Sequence, residues 1–118
     1  MSLNSARSYV TVTEEQGCIR VRFLNCTTIT EANVEEIGRQ LNALVGQREQ
    51  PHLSVDLSNI DLLTSMALAK LISLNGRVRA RGGQLKLINP KPVVREVFAI
   101  TQLTRILDVQ DIPETLSA

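Results

Sequence analysis

The residues with the clearest chemical potential are two hydroxyl side chains, Thr64 and Ser65, at the start of a predicted helix. They follow a buried strand over residues 53–58 and a short turn, and Gly82-Gly83 closes the helix. A kinase can reach a serine in this position, because the start of a helix faces solvent. A phosphate there would meet free backbone N–H groups and the positive end of the helix dipole. The segment therefore predicts a phosphorylation switch at Ser65, although the same hydroxyl could simply cap the helix.

The other reactive side chains do not form a catalytic set. Asp56 and Asp61 have no general-acid partner or metal-ligand neighbours in the sequence, and the strand-end position of Asp56 favours a turn-forming role. His52, the only histidine, follows a proline and is expected at the surface. Cys18 and Cys26 are expected to be reduced thiols, since no secretion signal accompanies them. We therefore expect no enzymatic activity, no metal site and no cofactor.

The composition narrows the choice of partner. The chain has 118 residues, enough for a single domain with one core, and its net charge is +1. That balance favours neither nucleic acid nor an acidic membrane surface, which usually select a basic excess. Aromatic residues make up only 3%, too few for the stacking platforms of single-strand binders. With no long apolar run and no signal core at the start, the sequence predicts a cytoplasmic protein.

Hydrophobic periodicity predicts strands that alternate with helices. Period-two alternation on both sides of a glycine turn predicts a β-hairpin, and apolar residues three and four apart predict amphipathic helices. The expected strands cover residues 9–14, 18–24, 53–57 and 84–89, and the expected helices cover residues 34–45, 65–81, 93–100 and, as a short final segment, 103–107. The fold class is therefore α/β, a mixed four-stranded sheet with helices packed on it, in the order ββαβαβα plus a short C-terminal helix.

The second long helix carries an apolar arc and a basic stripe. The arc predicts the buried face, and its members are Ala67, Leu68, Leu71, Ile72, Leu74 and Val78. Lys70, Arg77 and Arg81 fall within about 40° of one another on the helix, which could serve an acidic partner. A solvated helix face is the simpler interpretation of such a stripe. Gly82-Gly83 precede a strand rather than a helix, so they predict a tight return and not a phosphate loop.

Three segments of the chain resemble the STAS domain, the family of bacterial anti-sigma-factor antagonists. They cover residues 55–71, 80–87 and 94–103, and they correspond to the family's Asp-Leu-Ser strand end, its serine-containing helix start, its Gly-Gly turn and its last helix. The resemblance extends over residues 8–110, which implies one STAS domain with flexible termini at residues 1–7 and 111–118.

The resemblance implies a function and a site. The family's phosphorylated serine falls on Ser65, and the implied partner is an anti-sigma factor that is also a serine kinase. This chain departs from the family pattern beside that serine: Thr64 stands for Asp, Met66 for Ser or Thr, and Ala67 for Gly. The expected partner-binding surface comprises Asn59, Asp61, Leu63, Thr64, Ser65, Met66, Ala67 and Leu68. The protein itself is expected to be a monomer or weak dimer, and the alternative function is a phosphorylation-independent scaffold in a signalling assembly.

Overall fold

The computed structural model describes residues 9–112 and contains seven strands, three α-helices and one short 3₁₀ helix. The strands are β1 (Val10–Glu15), β2 (Cys18–Phe23), β3 (Thr28–Ile29), β4 (His52–Asp56), β5 (Leu62–Leu63), β6 (Gln84–Ile88) and β7 (Asp108–Gln110). The helices are α1 (Val34–Gly46), α2 (Ser65–Ala80), α3 (Pro92–Ile100) and the 3₁₀ helix Leu103–Arg105.

Five strands form the main sheet in the order β1-β2-β4-β6-β7. The hairpin pair β1 and β2 is antiparallel, and every later pair is parallel. Each of β4, β6 and β7 therefore pairs with the strand of this sheet that comes before it in the chain, and the sheet always grows in the same direction. Because such crossovers are right-handed, α1, α2 and α3 must all pack on one face of the sheet. None of the helices within residues 9–112 covers the opposite face, and we call it the open face.

The core lies between the three helices and the helix-covered face of the sheet. It is almost entirely aliphatic, as the low aromatic content predicts, and Phe98 is its largest fully buried side chain. Alternate strand residues such as Val21, Val55 and Leu87 point into it. Burial of this apolar surface is what orders α2 and so fixes the position of its first residues.

The predicted fold class is confirmed, and the sheet is larger than predicted. Strand β7 adds a fifth member through parallel pairing with β6, from Lys86–Asp108 to Ile88–Gln110. Its three residues are too few to display an alternating pattern, so only tertiary pairing reveals it. A second, two-stranded sheet joins β3 to β5. The predicted short C-terminal helix is present as the 3₁₀ helix Leu103–Arg105.

The predicted burial is wrong for one residue of the apolar arc of α2, Ile72. Ile72 is 37% exposed, whereas Asn75 is 7% exposed and donates a hydrogen bond to the Ile106 carbonyl at 3.5 Å. On a helical wheel Ile72 lies about 100° from Leu71, outside the arc that faces the sheet. Asn75 lies about 40° from Leu71 and is buried despite its polarity. The prediction that Ile72 is buried rested on its hydrophobicity and did not account for its angle on the helix.

The double glycine makes the tight return that its position predicted. Gly82 has φ +77°, and an added Cβ on Gly83 would overlap the backbone of Pro51. The Pro51 carbonyl in turn accepts the N–H of Gln84 at 2.9 Å, which begins the β4–β6 pairing. Only glycine allows this close approach of two chain segments.

The chain ends fall partly outside the described residues. The predicted flexible segment 1–7 and residues 113–118 lie beyond them. Asp111 and Ile112 are described: Arg95 Nη2 lies 2.6 Å from Asp111 Oδ1, and the Ile112 N–H donates to Asn89 Oδ1 at 2.7 Å. Across residues 9–112, no helix combines the length and the apolar character that a membrane span requires.

Candidate functional site

The start of α2 is capped by Thr64. Its backbone is extended, with φ −79° and ψ 169°, and its Oγ1 accepts the N–H of Ala67 at 3.4 Å. The same hydroxyl donates to the Ile29 carbonyl at 3.3 Å, and the Thr64 N–H donates to that carbonyl at 3.1 Å. Thr64 therefore performs the capping role, and its hydroxyl is already engaged on both sides.

Ser65 is the first residue of α2, and its side chain is exposed. Within residues 9–112 its hydroxyl has no hydrogen-bond partner. The first intrahelical bond runs from the Leu68 N–H to the Thr64 carbonyl, and Thr64 Oγ1 takes the N–H of Ala67. The backbone amides of Ser65 and Met66 consequently point out of the helix start without a protein acceptor among the described residues. An exposed hydroxyl thus lies beside two open N–H donors at the positive end of a helix.

The loop before α2 is held by long-range contacts. Asn59 Nδ2 donates to the Phe23 carbonyl at 3.1 Å, and the Asp61 N–H donates to the Thr27 carbonyl at 2.6 Å. The carboxylate of Asp61 lies 2.5 Å from Lys91 Nζ at the start of α3. These contacts fix a surface next to Ser65 instead of leaving it as a free loop. Asn59 and Asp61 remain exposed on that surface, as predicted.

The predicted partner-binding residues divide into a surface set and a buried set. Leu63, Ala67 and Leu68 belong to the hydrophobic core, so they support the surface from below and do not face a partner. Met66 is 43% exposed, and Leu62, which the residue patterns did not single out, is 50% exposed. We call the exposed residues Asn59, Asp61, Leu62, Ser65 and Met66 the α2 mouth.

The three departures from the STAS pattern have different structural consequences. Thr64 keeps the capping function that an Asp would perform, but without a negative charge. Ala67 is buried, so its Cβ adds to the core and leaves the surface unchanged. Met66 is exposed and replaces a polar hydroxyl by a flexible apolar side chain. The changes at positions 64 and 66 therefore alter the charge and the polarity of the helix start, whereas the change at position 67 does not.

Asp56 supports this region from the open face of the sheet. It is 3% exposed, and its Oδ2 lies 3.1 Å from Arg20 Nη2 and 3.5 Å from Arg22 Nε. Its Oδ1 accepts the N–H of Ser58 at 2.9 Å, so the predicted turn-forming role is present. Burial alone would raise the pKa of Asp56, but the hydrogen bonds from Ser58 and Arg20 outweigh it and hold the pKa below its usual value. Sequence alone did not predict the arginine partners, which the β2–β4 register brings together.

The remaining candidates do not join the α2 mouth. In the basic stripe, Lys70 Nζ lies 3.3 Å from Glu35 Oε1 and Arg81 Nε donates to the Arg48 carbonyl at 3.1 Å, while Arg77 is exposed. His52 is exposed at the start of β4, at the opposite end of the strand from the loop that leads to Ser65. The cysteines are free thiols, and the described part of the chain holds no cluster of three metal-binding side chains.

Comparison with known proteins agrees with this geometry. Residues 9–117 match the family model of the STAS domain. The chain is 31% identical over 90 residues to BtrV of Bordetella bronchiseptica, named as an anti-sigma factor antagonist, and the match covers 76% of this chain and 77% of BtrV.

Solved structures extend the likeness to the whole fold. A STAS domain protein of Planctomyces limnophilus superposes with a TM-score of 0.81 at 18% identity, covering 91% of this chain and 93% of that one. SpoIIAA superposes in its unphosphorylated form with a TM-score of 0.74 at 17% identity, covering 92% and 91% of the two chains. The phosphorylated form of Bacillus SpoIIAA gives a TM-score of 0.68 at 16% identity, covering 92% and 95%. Taken with the match over residues 9–117 and the relationship to BtrV, this fold shows that the chain belongs to the STAS domain family of anti-sigma-factor antagonists.

Proposed function

We propose that this anti-sigma-factor antagonist binds an anti-sigma factor with serine kinase activity, and that phosphorylation of Ser65 ends the binding. The observation that carries the proposal is that two neighbouring hydroxyl residues at the helix start have different roles. Thr64 performs the cap, so the Ser65 hydroxyl is exposed and unbonded within the described residues. Sigma-dependent transcription would then follow the phosphorylation state, and a phosphatase would restore binding.

The local electrostatics support a reversible modification. A phosphoserine at position 65 adds about −1.5 to −2 charge at neutral pH. The open amides of Ser65 and Met66 can receive that charge, and the helix dipole favours it. The phosphorylated domain therefore stays folded. The effect of the phosphate falls on the partner, because the added charge must be desolvated against a docked surface.

The α2 mouth has the composition of a small docking surface. Met66 and Leu62 supply exposed apolar area, while Asn59 and Asp61 supply polar groups at its border. Apolar centres with polar rims are the usual arrangement of protein interfaces. Ser65 lies within this surface, so a phosphate on it would be covered by any partner that covers Met66. In this role the protein is cytoplasmic, acts without a cofactor or catalytic activity of its own, binds no nucleic acid directly, and is a monomer or weak dimer.

The test is a titration of Ser65 variants against the cognate anti-sigma factor. Ser65→Asp and Ser65→Glu should weaken binding by about tenfold or more, since an unpaired charge is buried at the interface. Ser65→Ala should bind like the wild type and should accept no phosphate when incubated with the kinase and ATP. Ser73→Asp is the matched control, because Ser73 is exposed two turns further along α2. Mass spectrometry after the kinase reaction locates the phosphate.

A phosphorylation-independent scaffold is the second candidate function, favoured by the exposed Met66. An apolar side chain in place of a hydroxyl strengthens a docking surface that needs no phosphate. Under that function the acidic variants bind as tightly as the wild type, and the kinase modifies Thr64 or no residue at all. Such a result would rule out the phosphorylation switch and favour the scaffold function.

A further inference from the structure

A cavity lies on the open face of the sheet, at the amino ends of the central parallel strands. Its volume is about 250 Å³. Side chains from two neighbouring rows of β2, β4 and β6 line it: Cys18, His52 and Gln84 in one row, Ser54 and Lys86 in the next. The turn at Gln16-Gly17, where both residues have positive φ, forms part of its rim. The loop to Ser65 leaves from the opposite ends of these strands, so the cavity and the α2 mouth are separate.

Two side chains in this lining can donate hydrogen bonds to a ligand, Ser54 and Lys86. Ser54 contributes a hydroxyl whose Oγ lies 3.6 Å from the Cys18 thiol, and Lys86 contributes a half-buried ammonium. None of the residues that line the cavity is an Asp or Glu. A pocket that combines an ammonium with neutral donors is complementary to an oxyanion.

Lys86 forms no ion pair with a carboxylate of residues 9–112. Among residues 9–112, no carboxylate oxygen lies within ion-pair distance of its ammonium. The residue opposite it on β7 is Asp108, the position where a cross-strand ion pair would be expected. The Asp108 oxygens instead accept from the side-chain amides of Gln84 at 3.2 Å and Gln110 at 3.0 Å. Lys86 therefore lines the cavity without an ion pair to any described carboxylate.

We propose that this cavity binds a small metabolite through a phosphate or carboxylate group held by Lys86 and Ser54. A volume of about 250 Å³ is ample for a phosphate or carboxylate group together with a few further atoms. Such a ligand would give the domain a second input, independent of the partner that docks at the α2 mouth. His52 and Cys18 border the rest of the ligand and determine which molecules fit.

The experiment titrates isotope-labelled full-length protein with inorganic phosphate and, separately, with acetate, at constant ionic strength. Saturable shifts of the backbone amide signals of Gly17, Ser54 and Lys86 are expected, and the tighter of the two anions identifies the preferred group. Lys86→Met should weaken binding by at least about tenfold, because it removes the charge but keeps the side-chain length. Lys70→Met is the matched control, since Lys70 pairs with Glu35 on the helix-covered side.

A second measurement uses the thiol in the cavity. Phosphate should slow the alkylation of Cys18 by N-ethylmaleimide in the wild type but not in Lys86→Met, with Cys26 as the internal reference. Shifts that fail to saturate, or that are equal in the two lysine variants, would mean that phosphate acts only as a surface counter-ion, and the proposal would be wrong. None of these readouts involves the anti-sigma factor, so the outcome is independent of the Ser65 switch.

Discussion

The two ends of α2 are built differently. At the carboxyl end, Gly82 and Gly83 donate to the carbonyls of Arg79 and Val78, and Arg81 reaches the carbonyl of Arg48. At the amino end, the cap by Thr64 leaves the amides of Ser65 and Met66 open toward solvent. Both ends are therefore held by contacts, but only the amino end also leaves an exposed hydroxyl beside backbone N–H groups that have no protein acceptor among the described residues. The comparison shows how a helix can accept a new charge at one end without losing its place in the core.

The largest expected effect tests the buried middle of α2, which anchors both ends. Leu71→Ala should lower the free energy of unfolding by about 2–5 kcal/mol, because it leaves a cavity in the core. Ile72→Ala is the control on the adjacent exposed position and should cost less than about 1 kcal/mol. Urea titration measures both variants. A loss below about 1 kcal/mol for Leu71→Ala would show that the buried face of α2 has been assigned wrongly.

The next largest effect on stability concerns Asp56, whose ion pairs lie at the end of β4 that leads to the start of α2. Asp56→Asn should lower the free energy of unfolding at pH 7 by about 1–3 kcal/mol, because the carboxylate that pairs with Arg20 and accepts the Ser58 N–H loses its charge. The folded-state pKa of Asp56 lies below its unfolded value, so its stabilising contribution is present above the unfolded pKa and disappears as the pH falls through the folded pKa.

Urea titrations at neutral and acidic pH measure this dependence. The difference between wild type and Asp56→Asn should be largest at neutral pH and should begin to shrink below about pH 4, where the carboxyl group of the unfolded chain becomes protonated, and it should disappear as the pH falls through the lower pKa of the folded state. Asp61→Asn is the control, because Asp61 is exposed and only its surface pair with Lys91 is removed. A difference between wild type and Asp56→Asn that is independent of pH would mean that the carboxylate charge does not stabilise this end.

The smallest effect tests the cap itself. Thr64→Ala should lower the free energy of unfolding by about 0.5–2 kcal/mol, because the Ala67 N–H loses its acceptor. Thr64→Ser keeps the hydroxyl and should recover most of the loss. Kinase treatment of Thr64→Ala should still place phosphate on Ser65, since the two hydroxyls have separate roles. Loss of modification in Thr64→Ala together with retained folding would contradict that separation.

Local patterns were sufficient for the elements that have a clear period. The hairpin follows from alternation, and α1 and α2 follow from apolar residues three and four apart. A short apolar run indicates β4, the double glycine indicates the entry into β6, and the prolines before α3 indicate its start. The position of Ser65 at a helix start also followed, because a strand, a turn and a helix are each visible in the sequence. The exposure of Ser65 could be expected from the same signals.

Long-range pairing explains what the sequence did not predict. Strand β7 exists because β6 offers it an edge, and the Asp56–Arg20 pair exists because β2 and β4 are in one particular register. Neither residue pair is close in the chain, so no local signal could reveal it. The burial of Asn75 and the exposure of Ile72 similarly depend on the angle at which α2 lies on the sheet.

The order of the strands has a consequence for folding kinetics. From β2 onward each strand of the main sheet adds at the edge formed by the strand before it in that sheet, so no strand has to insert between two others. The chain can therefore assemble progressively from the hairpin toward the carboxyl end, and each step closes only one crossover loop. During synthesis the hairpin can form before the later strands have left the ribosome. Ser65 would then reach its displayed position only after α2 has docked, so a kinase that recognises that position would modify folded molecules and pass over nascent ones.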